Sequence, residues 1–313
     1  MNTTEKAQFL AENLIESVNN HTTKFRKSNE KLFKSMDGGD LNSIKKLMQE
    51  SANEIKKAMD DWESRTFLEL EGLTPKQYYE NLNSLDDIIE IISFIEEKNG
   101  GIVPTGLAER IESHANVYKG ELISVLNNMK LGEDKALTPK QKAALDVAEI
   151  MALPDFVDCI AEISSQLEDE KSSQDTWKTL MDVMEGIGEP ALEKLIQMLE
   201  VRKREGLPYG PLIITLAAIS SKSKKEDIYK LIKDYFRSSN TKVIEANAFA
   251  LYGDGRAIPA IRGYVEKNIE ELSYWEYAQF KEAVNTLGGD ISDLDEHFYE
   301  EMDEGFDEYY YDD

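Results

Sequence analysis

Tyr252-Gly253-Asp254-Gly255-Arg256-Ala257-Ile258-Pro259-Ala260-Ile261 decides the fold of this chain. A helical pattern runs into the stretch, with Ile244, Ala248 and Leu251 four and three residues apart. A second leaves it, with Ile258, Ile261 and Val265 on one face. The Gly-Asp-Gly turn between them reverses the chain. Pro259 falls in the first turn of the second helix, where a missing N–H costs little. Each helix thus has one apolar side. Such a unit cannot bury its own faces, so it requires neighbours of the same build.

Those neighbours are legible on both sides. Trp177, Leu180, Met181 and Met184 form one apolar face, and the chain turns at Gly186-Ile187-Gly188-Glu189-Pro190-Ala191. Leu192, Leu195, Ile196 and Leu199 form the answering face. After the loop Gly206-Leu207-Pro208-Tyr209-Gly210-Pro211 comes a third pair, with Leu212, Leu216 and Ile219, then Ile228, Leu231, Ile232, Tyr235 and Phe236. A further unit begins at Phe280, Ala283, Val284 and Leu287. An earlier pair opens at Thr138-Pro139 and again at Pro154. The second helices, aligned on Leu192, Ile228 and Ile258, repeat after 36 and 30 residues, within the range of helical-pair repeats. No segment alternates as a strand would. The expected fold class is all-α.

The turns also carry a family likeness. Gly253-Asp254-Gly255-Arg256-Ala257-Ile258-Pro259-Ala260-Ile261 resembles the HEAT-like repeat of the type first described in phycobilisome lyases, whose motif runs Gly-Asp-Pro-Arg-Ala-Ile-Pro-Ala-Leu. Gly255 stands where that family has proline. Gly188-Glu189-Pro190-Ala191-Leu192 is similar to a frequent variant. The resemblance implies a HEAT-like α–α superhelix, a solenoid of helix pairs, in which Asp254 and Arg256 make structural polar contacts at the repeat turn. Solenoids bind partners along an extended concave surface. The expected organisation is an N-terminal helical region over 1–98, the array over 99–303, and an acidic aromatic tail over 304–313.

The N-terminal region carries its own signals. Leu41 begins a regular stripe, Ile44, Met48, Ala52, Ile55, Met59 and Trp62, that marks a long amphipathic helix. Its simplest use is packing on the preceding helix; the alternative is self-association through the 41–62 helix. Leu85 to Ile95 is so densely apolar that it should be buried nearly all round.

The formal net charge is −25 over 313 residues. Asp290 to Asp313 holds twelve Asp and Glu and no Lys or Arg, whereas residues 1–60 sum to +1. Strong negative charge repels nucleic-acid backbones and anionic membranes, so the expected partner is another protein of basic character. One cysteine, Cys159, precludes an intramolecular disulfide and fits a reducing compartment. Met1 to Val18 lacks the charge and apolar pattern of a signal peptide, and no window approaches a membrane span. Cytoplasmic residence is expected.

Signals that resemble chemistry dissolve on inspection. Gly186 to Ala191 satisfies Gly-x-Gly-x-x-Ala formally, but a helix precedes it, Glu189 would face a phosphate, and Pro190 deletes an N–H. His21, His114 and His297 cannot supply the four-histidine, paired His-Glu di-iron site of the HEAT-like deoxyhypusine hydroxylases. Cys159 has Asp155 and Asp158 nearby, which would raise rather than lower its pKa. No catalytic residue, metal site or cofactor is expected. The HEAT-like alkylpurine DNA glycosylases grip DNA on a basic concave face, and the second helices here carry Lys194, Lys230, Lys233, Arg262 and Lys267. The reading is therefore a non-catalytic scaffold or adaptor, with Lys230, Lys233, Arg262 and Lys267 as candidate partner-binding residues. A nucleic-acid-binding protein of the glycosylase type is the alternative.

Overall fold

The computed structural model describes residues 1–30, 41–98, 101–168, 173–240 and 242–298. It is all-α: helices joined by tight turns, with no strand among the described residues. The chain divides into two compact units, Met1–Gln166 and Leu167–Asp313.

The first unit contains α1 (Thr3–Ser28), α2 (Leu41–Glu63), α3 (Pro75–Glu80), α4 (Leu85–Glu97), α5 (Thr105–Ser113), α6 (Ala115–Asn127), α7 (Pro139–Met151) and α8 (Val157–Ser165). Three of these begin in reciprocal caps that satisfy otherwise orphaned N–H groups. Asn2 pairs with Glu5 at α1, Thr74 with Gln77 at α3, and Thr138 with Gln141 at α7. Pro75 and Pro139 follow their caps directly. Helix α4 is the centre. It packs on α1 and on α7, and Leu85, Ile88, Ile89, Ile91, Ile92 and Ile95 are all buried.

Two expectations change here. The seam expected at residues 98–99 lies inside the first unit, because α4 packs on α7 and α6 across it. The stripe on α2 also rotates: Leu47, Ala58 and Trp62 are buried, while Met48 and Ala52 are exposed and Ile55 and Met59 half-buried. The helix leans on α1 with a face one position away from the one its periodicity suggested.

The C-terminal end of α2 supplies a buried contact. Glu63, 6% exposed, accepts a hydrogen bond from the Gly106 N–H in the first turn of α5 at 2.8 Å. A Cβ on Gly106 would lie 3.0 Å from Glu63 Oε1, so glycine permits the approach.

The second unit contains α9 (Gln174–Ile187), α10 (Leu192–Glu205), α11 (Gly210–Ser220), α12 (Glu226–Ser238), α13 (Val243–Tyr252), α14 (Ile258–Asn268) and α15 (Tyr274–Thr286). First helices of successive pairs pack side by side: α9 on α11, α11 on α13, α13 on α15. Each second helix packs against the first helix of the next pair, α10 on α11, α12 on α13 and α14 on α15. Leu195, Leu199, Leu216, Ile232, Phe236, Phe249, Ile261, Val265 and Phe280 are buried in the core of the unit. Gly253 ends α13 with φ +74°, a left-handed cap suited to glycine.

After α15 a short 3₁₀ segment, Ser292–Phe298, folds back onto the unit. Asp293 pairs with Arg262 at 2.6 Å, and Asp295 with Lys281 at 2.7 Å. Tyr277 donates to the Ile291 carbonyl and to Asp295, and its ring stacks on Phe298 with centroids 4.4 Å apart. The tail expected over 304–313 lies outside the described residues. Salt links hold Asp293 below its ordinary value, through Arg262. Burial pushes Asp295 up, but the bonds from Lys281 and Tyr277 outweigh it and leave the group lowered. A carboxylate with a depressed folded pKa contributes stability above its unfolded value and loses it as pH falls through the folded one. Attachment of this segment is therefore expected to hold above the ordinary aspartate value of 3.8 and to weaken as pH drops below it. Amide exchange in 290–298, faster at pH 3 than at pH 5 after correction for intrinsic rates, would report it.

A candidate partner-binding groove

The residues singled out in the sequence occupy the turns and second helices. Arg256 lies over the Tyr229 ring at 4.2 Å, donates to both carboxylate oxygens of Asp254, and reaches Glu226 of the preceding second helix at 2.8 Å. These bonds join one pair to the next and raise the guanidinium pKa while lowering that of Asp254. Arg262 is held by Asp293 and by Glu266 at 2.7 Å. Lys230 and Lys267 are exposed on α12 and α14, and Lys233 is half-buried. The four cations are thus carried by the second helices, with Arg262 already engaged.

A concavity of this unit lies elsewhere, on the first helices. A groove of about 930 Å³ runs across α9, α11, α13 and α15. Helical spacing builds each wall: Trp177, Met181 and Glu185 from α9, Pro211 and Ile214 from α11, Ile244 and Asn247 from α13, Trp275 and Gln279 from α15. Ile244, read from sequence as a core position, is half-buried and lines this groove, and Leu251 on the same helix is 47% exposed. Helices α11 and α13 are apolar on nearly every side, because they touch a neighbour on each flank and face the groove as well.

The floor is rigid. Trp177 is fully buried, and the guanidinium of Arg202, itself buried, lies over its ring at 4.9 Å. Arg202 donates to the carbonyl of Pro208, which lines the groove, and to that of Leu167 at 2.9 Å. Behind the floor, Tyr209 donates to the buried Glu245 at 2.7 Å. Burial and that bond raise the Tyr209 phenol, and burial pushes Tyr235 up to about 12.

The far wall is open: Trp275 is 63% exposed, a large apolar side chain presented to solvent. Polar groups gather near α9, where Lys178 pairs with Asp182 at 2.6 Å. Glu185, exposed beside them, makes no side-chain hydrogen bond or ion pair among the described residues. The groove's charge at this end is negative.

Comparison with family models, with curated proteins and with solved structures gives no match in any of the three. The groove stands on its geometry alone.

Cys159 is buried, and burial followed by Asp158 raises its thiol pKa. His114 ends α5 and bonds Arg110 and Ser113. The Gly186 to Ala191 stretch starts in the last turn of α9 and carries Pro190 in its 3₁₀ step. Among the described residues, no cluster of three or more His, Cys, Asp or Glu could hold a metal, and no helix is long and apolar enough to cross a membrane.

Proposed function

We propose that the second unit is a protein-binding module of the HEAT-like type and that its working surface is the groove on the first helices. The observation that supports this most is the exposed Trp275 facing a wall of Met181, Ile214 and Ile244. Large apolar side chains left in a concave surface suit the anchor residues of a partner. The occupant fitted to it is an amphipathic helical segment, bulky apolar residues on one side and Lys or Arg at the end that meets Asp182 and Glu185. The chain acts as an adaptor, without catalysis, and the earlier expectation moves from the second helices to the first.

Model peptides with one shared apolar helical face and either basic or acidic polar faces test the reading. Trp275 is the exposed tryptophan, so its emission should blue-shift on binding and the Trp275→Phe variant should lose that signal. Basic peptides are expected to bind at least about tenfold tighter than acidic ones, a difference of about 1.4 kcal/mol. Ile214→Asp should weaken them by at least the same factor. Equal affinity for both peptide sets, or an indifferent Ile214→Asp, would overturn the assignment. Salt-sensitive binding of duplex DNA without peptide binding would favour the nucleic-acid reading instead.

A further inference from the structure

A second concavity, about 370 Å³, lies in the first unit and has the opposite character. Ser17, Asn20, His21 and Lys24 line it from α1, and Arg65 from the turn after α2. The four α1 positions are three, four and seven residues apart, which puts them on one helix face. Among the described residues no carboxylate lines the site, in a chain with 61 Asp and Glu against 36 Lys and Arg. Lys24 and Arg65 make no side-chain hydrogen bond or ion pair among the described residues.

Ser17 gives the second, independent sign. A helical serine or threonine ordinarily returns its hydroxyl to a carbonyl one turn back. Thr22 does so to Val18, and Ser28 to Lys24, on this same helix. Ser17 does not: it is 7% exposed, and its Oγ is buried without a partner. An unmade bond at a buried hydroxyl is costly unless something else accepts it. What lines the concavity is a donor set: a hydroxyl, an amide, an imidazole, an ammonium and a guanidinium.

We infer that this concavity is an oxyanion site for a phosphate monoester, with Arg65 and Lys24 supplying charge and Ser17 and Asn20 supplying oriented hydrogen bonds. A guanidinium binds two phosphate oxygens at once, and an ammonium serves as a movable point charge. Two cations suit a dianion better than a single carboxylate. The volume admits the phosphate together with a small organic group or one side chain. The site lies in a different unit from the peptide groove and does not depend on it.

The full-length chain is titrated with inorganic phosphate while the imidazole resonances of its three histidines are followed, against sodium chloride at matched ionic strength. The expected result is a saturable shift of the His21 signals, assigned with His21→Gln, while His114 and His297 stay in place. Lys24→Gln combined with Arg65→Gln should weaken the phosphate response at least tenfold. These side chains are exposed, so the fold should survive, and the unchanged His114 and His297 signals check that it does. Ser17→Ala should weaken the response several-fold. Phenyl phosphate and a phosphoserine peptide then separate the two sources, and a gain in affinity for either over inorganic phosphate supports the site and names its source. An unmoved His21, the same shift with chloride, or a response that survives the double substitution would overturn the inference.

Discussion

Trp177→Ala is expected to lower the unfolding free energy of the second unit by about 3–5 kcal/mol, the largest effect of any single truncation considered for this chain. The ring is 1% exposed, and it forms the floor on which the Arg202 guanidinium lies. Removing it opens a cavity and also strips a face from a buried cation, whose attraction to an aromatic ring adds to simple area burial. The indole Nε1 has no hydrogen-bond partner, so Trp177→Phe should lose volume without losing a bond and cost roughly half as much or less. Urea denaturation followed by Trp275 emission, in a background carrying Trp62→Phe, isolates the unit. A shift below about 1 kcal/mol for the alanine variant would show that the floor is not a core element.

Glu63→Ala comes next. It should cost about 1–3 kcal/mol, because the buried Gly106 N–H at the start of α5 loses its acceptor. Glu63→Gln is expected to behave differently. Burial pushes the Glu63 carboxyl above its ordinary value, more than the Gly106 bond draws it down. An acid whose folded pKa is raised costs stability as pH climbs through that value, so at neutral pH the charge opposes folding. The amide keeps an acceptor and carries no charge. Glu63→Gln should therefore match or exceed the parent at pH 7 and lose any advantage below the ordinary glutamate value of 4.5. Denaturation midpoints at pH 7 and pH 4 check both signs. A glutamine variant as damaged as the alanine one would mean that the charge itself is required.

Helix pairing was legible because turns and periodicity are local. Gly253 to Ile261 and Gly186 to Leu195 each fold as a turn between helices, and Leu85 to Ile95 is buried nearly all round, as its composition required. What periodicity does not record is which of two apolar sides meets solvent. Ile244 and Leu251 sit on an apolar stripe, yet they belong to the side of α13 turned away from Phe249 and the core. The groove needed four helices in register before it existed. Arg262 looked available because its partner, Asp293, lies 31 residues on. The Ser17-Asn20-His21-Lys24 spacing was readable in α1, but nothing in the sequence brings Arg65 to it.

The second unit leaves one flank to a segment that is not a helix pair. Every second helix offers a flank to the pair that follows, so a stack of this design has no intrinsic last member. Here α15 is followed by the 3₁₀ segment, which lays Phe298 on Tyr277 and locks itself to Arg262 and Lys281. That segment lays an aromatic ring and two carboxylates against α14 and α15. Reversing the charge of Arg262 or Lys281 would therefore set like charges against that segment and is expected to loosen it from the helices.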